Sequence, residues 1–550
     1  MIQLDSVTKF YGERLIFRDV SFRIFDGEHV GIVGKNGAGK STLVRIMTGA
    51  ENFDAGTVSG LRAEDIGFVE QTPHFTATTL LDELLTVGGE KFMARKILFG
   101  LGFTAADLEK NPRHFSGGES AKISLAKALL NEPRILILDE PTNHLDIYAI
   151  DFLEDFVRNY RGTVVAVTHD RHFLQNCVTK ILDMENFRAT MYPGNYEKFL
   201  RLKTERHAAE LKAYERQQEE IAKLEDFVRR NKAGVKAKQA RGRQTLLDRM
   251  ERLERPPSAE TAAINLGDAT ESANRVLILD GVNFRGIIKN FSAEIFRGEK
   301  VGLIGRNGVG KSTLLKIIVG ELKAEGDIKI GNRVKIGYLS QGHEELDGTL
   351  TPLEELNYGF GLTEGQARSE LARLNLFAEV VEKPIADLSG GEKTRVALTK
   401  LILTGANFLI LDEPTNHLDL PAREAIEAAL QSFDGTILIV THDRWLLDKV
   451  TTRTIEFAEP PPIPDKPTKS ARAPSSSTKP PAKAKPVQRN EQLIDRVEAQ
   501  IKMAEMELKM LEHEINAALE PERLTQLAAA HAAKLTEIDE LYARWEELQC

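Results

Sequence analysis

The sequence predicts an α/β protein in which one domain occurs twice, with a helical hairpin between the copies and a second helical hairpin at the C-terminal end. Residues 17–49 closely match residues 289–320. Lys311 lies 271 positions after Lys40, and Ser389 lies 273 positions after Ser116. Because this offset stays nearly constant over several motifs, the two halves are copies of a whole domain.

Length and composition limit the possible classes of protein. The chain has 550 residues, and at roughly 150 residues per domain this length predicts three to four units. With 73 Lys plus Arg and 82 Asp plus Glu, the net charge is −9, which argues against a chain that coats nucleic acid along its whole length. Cys177 and Cys550 are too few for a disulfide framework or a thiolate metal site. No apolar run approaches the roughly 18 residues of a membrane helix, so we expect a cytoplasmic protein without a membrane segment.

The duplication and the shifts in composition predict five segments. These are the first phosphate-binding domain (1–194), a charged helical hairpin (195–270), the second phosphate-binding domain (271–458), a flexible Pro- and Lys-rich tether (459–489) and a C-terminal coiled-coil hairpin (490–550).

Helical periodicity defines the hairpin between the domains. Two apolar stripes are expected to hold it together, with a break at Gly234 and an end at Pro256 and Pro257. The stripes consist of Tyr214, Ile221, Leu224 and Val228 in the first helix and Leu246, Met250 and Leu253 in the second.

Periodicity also predicts helices after the tether. Apolar residues recur every three or four positions from Leu493 to Ile515 and from Leu524 to Leu548, with Pro521 between them. Two helices folded back as an antiparallel coiled coil fit this pattern. The alternative is one long helix kinked at Pro521, which is less favourable because proline costs about 3 kcal/mol inside a helix.

Each domain contains a glycine-rich loop between a predicted strand and a predicted helix. The sequences GKNGAGKS (34–41) and GRNGVGKS (305–312) fit the pattern GxxxxGK[ST]. Glycines let the backbone approach a phosphate chain, the lysine reaches the β- and γ-phosphates of ATP, and the serine hydroxyl binds Mg²⁺. The expected nucleotide-binding residues are Gly34, Asn36, Gly37, Gly39, Lys40, Ser41 and Thr42, and Gly305, Asn307, Gly308, Gly310, Lys311, Ser312 and Thr313.

Paired carboxylates end a buried-type strand in each domain. Asp139 and Glu140 follow ILIL, and Asp412 and Glu413 follow FLIL. The aspartates are expected to hold Mg²⁺ through water, and the glutamates to orient the attacking water and accept its proton.

Further motifs carry a resemblance to the ATP-binding cassette (ABC) ATPases. FSGGES (115–120) and LSGGEK (388–393) resemble the signature of that family, and VTHD contains His169 and His442 in the positions of its switch histidines. Gln71 and Gln341 are similar to its glutamine-loop residues, which implies that they help to hold Mg²⁺.

The resemblance implies that the two cassettes pack head to tail. Ser116 and Gly118 would then complete the site of Lys311, while Ser389 and Gly391 would complete that of Lys40. Tyr11 and Phe284 are candidates for stacking on adenine, although a core aromatic residue could equally occupy either position.

The chain resembles the F subfamily, ABC-F, in four features. These are two tandem cassettes, the sequence EPTNHLD in each (140–146 and 413–419), a charged linker and no membrane span. The tether and C-terminal coiled coil are similar to its Uup-like branch. This resemblance implies a soluble ATPase that binds the exit-site region of the ribosome in its ATP-bound closed state. The linker would contact transfer RNA and ribosomal RNA.

The linker itself favours RNA contact. From Phe227 to Leu247 it has no acidic residue, and its basic residues suit recognition of a phosphate backbone, although a solvated helix face is the ordinary explanation of such a run. These residues are Arg229, Arg230, Lys232, Lys236, Lys238, Arg241 and Arg243.

Two departures from the family narrow the expectation. Gln71 and Ser116 are 45 positions apart, so the first cassette lacks room for the arm that some family members have inserted there. The tip of the linker is also short, which favours a housekeeping or stress role in translation. The alternatives are a DNA-linked role through the C-terminal coiled coil and the ATPase subunit of a transporter. The C-terminal tether and coiled coil could contact either nucleic acid or protein.

Overall fold

The structure is a computed structural model of the whole chain. It describes residues 1–69, 75–143, 145–231, 236–253, 255, 266, 270–374, 376–416 and 418–457, and separate positions between 496 and 544. The chain divides into two compact units, one of residues 1–89 and 97–460 and one of residues 90–96 and 461–550. The predicted tether lies outside the described residues. The C-terminal coiled coil lies largely outside them and stays a prediction, although the positions described there, such as Val497 and Ala504, are helical.

The first domain consists of two sheets and the helices that cover them. A mostly parallel sheet has the strand order β5-β6-β7-β3-β8-β9, with only β9 antiparallel, and a smaller antiparallel sheet has the order β2-β1-β4. The strands are β1 (Ile2–Tyr11), β2 (Arg14–Ile24), β3 (His29–Gly34), β4 (Ala55–Ser59), β5 (Ile66–Phe68), β6 (Ile135–Asp139), β7 (Thr163–Val167), β8 (Lys180–Glu185) and β9 (Arg188–Pro193). The helices are α1 (Lys40–Met47), α2 (Leu80–Leu85), α3 (Lys91–Gly100), α4 (Ala105–Leu108), α5 (Gly117–Leu130), α6 (Ile147–Arg158) and α7 (Arg171–Asn176).

The second domain repeats this architecture after the linker, which is formed by α8 (Tyr196–Arg230) and α9 (Ala237–Arg249). Its parallel sheet has the order β14-β15-β16-β12-β17, and its antiparallel sheet has the order β11-β10-β13. The strands are β10 (Arg275–Phe284), β11 (Ile288–Phe296), β12 (Lys300–Ile304), β13 (Glu325–Ile330), β14 (Ile336–Leu339), β15 (Phe408–Asp412), β16 (Thr436–Val440) and β17 (Arg453–Glu456). The helices are α10 (Lys311–Val319), α11 (Pro352–Phe360), α12 (Glu364–Arg373), α13 (Ala378–Val381), α14 (Gly390–Thr404), α15 (Leu420–Ser432) and α16 (Arg444–Val450).

The central parallel strands are buried on both faces. All residues of β7 and β16 are buried, which explains why these strands read as continuous apolar runs without polar alternation. In each domain the core joins the parallel sheet to the antiparallel sheet and to the helix after the glycine-rich loop. The carboxyl ends of β3, β6 and β7, and of β12, β15 and β16, therefore meet at one edge of each sheet, where ligands bind in open α/β sheets.

The linker is a helical hairpin, but one of its two predicted stripes is wrong. Leu246 and Leu253 are exposed, whereas Ala240 and Leu247 are buried, seven positions apart and therefore two turns apart on one face. The predicted stripe fails because α9 ends at Arg249, so that Leu253 is not on the helix at all.

Candidate nucleotide-binding sites

The glycine-rich loops connect a buried strand to a helix through backbone that only glycine adopts easily. Gly39 has a φ of +90° at the N-cap of α1, and a Cβ atom there would lie 2.6 Å from Ile16 Cγ2. Gly310 has a φ of +104° at the N-cap of α10, and its Cβ would lie 2.7 Å from Ile287 Cγ2. A side chain at either position would both strain the turn and push against the small sheet.

The loop lysines lie folded over their own loops. Lys40 Nζ donates to the carbonyl oxygens of Gly34 (2.8 Å) and Lys35 (3.1 Å). Lys311 Nζ donates to those of Gly305 (2.6 Å) and Arg306 (2.8 Å). Burial lowers the pKa of both lysines, while the nearby strand-end carboxylates act in the opposite direction. Each ammonium group is therefore held at the mouth of a loop whose N–H groups can bind phosphate.

The serine that follows each lysine pairs with the aspartate that ends the neighbouring strand. The Ser41 hydroxyl lowers the pKa of Asp139 and the Ser312 hydroxyl lowers that of Asp412, but burial acts more strongly and raises the pKa of both aspartates. Asp412 Oδ1 is buried and has no hydrogen-bond partner among the described residues. A hydroxyl group and a carboxylate with an unused oxygen suit Mg²⁺, which keeps several waters and takes its other ligands from phosphate.

The described residues contain no group of three or more His, Cys, Asp or Glu side chains that could hold a metal by themselves. Gln341 is exposed after the end of β14, and Gln71, its counterpart, lies outside the described residues. Thr42 and Thr313 lie in the first turns of α1 and α10.

The second carboxylate of each pair stands on strained backbone. Glu140 and Glu413 have φ angles of +49° and +50°, which residues other than glycine rarely adopt. The Glu140 N–H donates to the carbonyl of Val167, and the Glu413 N–H donates to that of Val440, each at 2.8 Å. Burial raises the pKa of Glu140 to about 7 and that of Glu413 to about 8. Strain and a raised pKa at one residue are typical of a catalytic base.

The switch histidines face these glutamates. His169 Nε2 lies 3.5 Å from Glu140 Oε1, and His442 Nε2 lies 3.5 Å from Glu413 Oε1. Burial lowers the pKa of His169 well below its usual range, and that of His442 to about 4. Both imidazoles are therefore neutral at physiological pH and can each donate one hydrogen bond to a phosphate or a water.

The signature motifs begin long helices. Ser116 caps α5 and Ser389 caps α14, each with a reciprocal bond to the glutamate three residues later. Both serines are exposed, Gly118 is half-buried and Gly391 is buried. The positive charge of Lys122, in the second turn of α5, adds a small contribution to the lowered pKa of Lys311 in the other cassette.

Each glycine-rich loop forms one hydrogen bond with the other domain. The Asn36 N–H donates to Asp419 Oδ2 (3.2 Å), and the Asn307 N–H donates to Asp146 Oδ2 (3.0 Å). The two domains therefore pack head to tail. Sequence analysis gave Asp146 and Asp419 no role, although their repetition at the end of EPTNHLD was a signal.

Buried ion pairs also cross between the domains. Arg171 Nη1 lies 2.8 Å from both carboxylate oxygens of Glu427, with both side chains 3% exposed. The matching residues, 273 positions away in each direction, are Arg444 and Glu154, which also pair. Sequence analysis missed these four residues, because a charge that is buried only by another domain looks like a surface charge in its own helix.

The candidate adenine-stacking residues differ in exposure. Tyr11 ends β1 with 46% of its surface exposed, and its hydroxyl oxygen lies 3.4 Å from Thr42 Oγ1. Phe284 ends β10 and packs partly against the core of the second domain. Of the two rings, Tyr11 is the more exposed and therefore the more accessible to an adenine ring.

Comparisons with known proteins agree with this architecture. A family model described as "ABC transporter" matches residues 17–143 and 288–416, and a second model with the same description matches residues 182–266. "Energy-dependent translational throttle protein EttA" of Haemophilus influenzae is 32% identical and covers 81% of this chain and 90% of its own. "ATP-binding protein Uup" of Escherichia coli is 33% identical (81% and 79%), and "ABC transporter F family member 5" of Arabidopsis thaliana is 31% identical (83% and 75%). The chain belongs to the F subfamily of ATP-binding cassette proteins.

A solved structure supports the fold of this ABC-F protein. The archaeal ribosome recycling factor aABCE1, in complex with ribosomal stalk protein aP1, matches with a TM-score of 0.56 and 21% identity over 82% of this chain and 87% of that one. The protein is thus an ATP hydrolase with two tandem cassettes, and the predictions of family, fold of the two cassettes and enzyme class are confirmed. No helix in the described parts of the chain is long and apolar enough to cross a membrane.

Proposed function

We propose that this ABC-F ATPase binds the ribosome near the exit site in its ATP-bound closed state and acts on translation in the cytoplasm. Its linker hairpin would contact transfer RNA and ribosomal RNA. The observation that carries this proposal is the basic, exposed surface near the tip of the hairpin, on a chain whose net charge is −9.

The linker tip presents its charges to solvent. The side chains of Arg229 and Arg230 are 80% and 74% exposed, although both pair with Asp226. Lys236, Lys238 and Arg241 are exposed as well. Arg243 lies over the Phe227 ring, 3.6 Å from its centre, which fixes the two helices against each other near the tip. Cations spread over a hairpin tip suit the phosphate backbone of RNA.

We propose the following roles in hydrolysis. The N–H groups of each glycine-rich loop and its lysine bind the phosphates, while Ser41 with Asp139, and Ser312 with Asp412, hold Mg²⁺, assisted by Gln71 and Gln341. Mg²⁺ would neutralise charge on the phosphates. Glu140 and Glu413 accept the proton of the attacking water, and neutral His169 and His442 donate to the γ-phosphate. The opposite signature, through Ser389 with Gly391 or Ser116 with Gly118, closes each site, and Tyr11 and Phe284 stack on adenine.

The names of similar proteins support a ribosomal role. EttA is named a translational throttle, and the archaeal aABCE1 is named a ribosome recycling factor. These names describe those proteins, and the transfer to this chain is our inference from the shared arrangement of two cassettes.

A DNA-linked role is the second candidate. It rests on the tether between 459 and 489, which contains Lys466, Lys469, Arg472, Lys479, Lys483, Lys485 and Arg489 against two acidic residues, Glu459 and Asp465. Such a tether could bind either DNA or RNA through counterion release.

One purification separates these functions. The variant Glu140→Gln with Glu413→Gln, which should trap bound ATP, is isolated from cells and its partners are identified. Ribosomal RNA and ribosomal proteins should be recovered, and the recovery should fall when Arg229, Arg230, Lys236, Lys238, Arg241 and Arg243 are changed to Gln. Recovery of DNA or of membrane proteins without ribosomes would contradict the proposal.

A further inference from the structure

The two ATP sites differ in one contact between the cassettes. This contact involves the switch loop, which is the loop that carries His169 in the first cassette and His442 in the second. Arg423, on α15 of the second cassette, donates from Nη1 to the backbone carbonyl of His169 in the first cassette (3.2 Å). The position that matches Arg423 in the first cassette is Ile150, 273 residues earlier, which is buried and carries no donor. The switch loop of His442 therefore cannot receive the same bond from the first cassette.

Arg423 also links two other loops of its own cassette. Its Nε donates to the carbonyl of Leu418 (3.0 Å), directly before Asp419, and its Nη1 lies 3.7 Å from Asp443 Oδ2, directly after His442. The side chain is 12% exposed. A planar guanidinium that bridges three backbone segments in a nearly dry interface holds them in a fixed relation, which a lysine could not do with one point charge.

The two switch histidines differ in a second way. His442 Nε2 lies within hydrogen-bond distance of Asn307 Oδ1 in its own cassette (3.1 Å). Neither ring nitrogen of His169 has a hydrogen-bond partner among the described residues. The ring of His169 thus lacks the contact that Asn307 gives to the ring of His442, and the backbone carbonyl of His169 is instead held by Arg423 of the opposite cassette.

We propose that Arg423 is a positioning residue chiefly for the first ATP site, so that hydrolysis at that site depends on this contact from the second cassette more than hydrolysis at the second site does, where Arg423 meets the switch loop only through the side chain of Asp443. Arg423 acts through His169 and touches no phosphate itself. The proposal goes beyond the ATPase activity, because it assigns unequal control to two sites with the same motifs.

The test compares the two sites separately. Glu413→Gln leaves the first site active and Glu140→Gln leaves the second, and ATP hydrolysis is measured in the first turnover, before reopening limits the rate. Arg423→Ile, which copies Ile150, should lower the first-turnover rate about tenfold or more in the Glu413→Gln protein, since small misplacements of reacting groups cost up to about a hundredfold. In the Glu140→Gln protein the rate should stay within about twofold. An equal loss in both proteins, or no loss in either, would overturn the proposal.

Two further variants and one measurement without the trapping substitutions support the comparison. Arg423→Lys should lose most of the first-turnover rate at the first site, because it keeps the positive charge but not the planar guanidinium group. Arg158→Ile, the same kind of change at the exposed end of α6, should leave the first-turnover rates of both sites unchanged. With Glu140 and Glu413 both present, Arg423→Ile should reduce the fast phase of ADP formation from two per protein to one. A fast phase that stays at two or disappears would contradict the assignment.

Discussion

At the scale of single residues, Glu140 and Glu413 are expected to control hydrolysis. Changing both to Gln removes the proton acceptor but keeps the shape and the contacts of the loops with phosphate. ATP binding should persist while the hydrolysis rate falls by about 10² to 10⁴, the usual contribution of a general base. Binding and hydrolysis are measured separately, and Glu325→Gln on the exposed strand β13 serves as the control. A double variant that hydrolyses ATP at the wild-type rate would show that the base is another group.

The raised pKa values of the two glutamates predict a pH dependence. A base works only when it is deprotonated. In the free protein, Glu140 should be deprotonated in half of the molecules at about pH 7, and Glu413 at about pH 8. We therefore expect kcat/KM to rise from pH 6 to pH 9, because this ratio reports groups of the free enzyme. Replacing Glu140 should move the midpoint towards pH 8, and replacing Glu413 should move it towards pH 7. A flat profile over this range would contradict the assignment.

At the scale of elements, the glycine-rich loops depend on backbone that excludes a side chain. Gly39→Ala places a Cβ 2.6 Å from Ile16 at a φ of +90°, and a residue other than glycine there costs about 1–3 kcal/mol. We expect weaker ATP binding at the first site, measured by titration with a fluorescent ATP analogue in a protein whose second site carries Lys311→Ala. Gly242→Ala, on α9 with open space around it, is the matched control and should leave ATP binding unchanged.

The basic tip of the linker should act on the ribosome and not on the ATP sites. Replacing Arg229, Arg230, Lys236, Lys238, Arg241 and Arg243 by Gln should leave the basal ATPase rate unchanged and lower the stimulation by ribosomes, with a weaker dependence of binding on salt. The control changes four exposed basic residues of α8 that precede the tip to Gln. These residues are Arg201, Lys212, Arg216 and Lys223. Unchanged stimulation in the tip variant would make the basic run an ordinary solvated face.

Sequence patterns predicted most elements because their signals are local. A buried strand, a glycine-rich loop and a helix follow one another over residues 29–47 and 300–319, so the loops of Lys40 and Lys311 were predictable from periodicity and glycine spacing. The second linker stripe was not, because apolar residues at Leu246 and Leu247 stand side by side and only the packing against α8 decides which one is buried. Prediction also stopped at the contacts between cassettes, where Asp146, Arg171 and Arg423 find partners more than 150 residues away.

At the scale of the whole molecule, the crossed ion pairs should stabilise the association of the cassettes. Glu427→Ala leaves Arg171 buried without its carboxylate, and breaking such a pair costs about 3–5 kcal/mol. In the trapped variant, closure on ATP, measured by energy transfer between dyes on the two cassettes, should need much more ATP. Replacing both residues by Leu should restore much of the closure, because no buried charge is then left unpaired, and Lys449, which also lies 3.4 Å from Glu427, is 46% exposed. Equal defects in the single and double variants would contradict this explanation.

Coupling between closure and ribosome binding is the central expectation for the whole molecule. The linker follows the last strand of the first cassette and precedes the first strand of the second in the chain, so we expect closure on ATP to fix the position from which the hairpin is presented. The most direct test is co-sedimentation of the Glu140→Gln and Glu413→Gln variant with purified ribosomes, with and without ATP. The protein should pellet with ribosomes when ATP is present and remain in the supernatant when it is absent. Equal co-sedimentation under both conditions, or none under either, would contradict it.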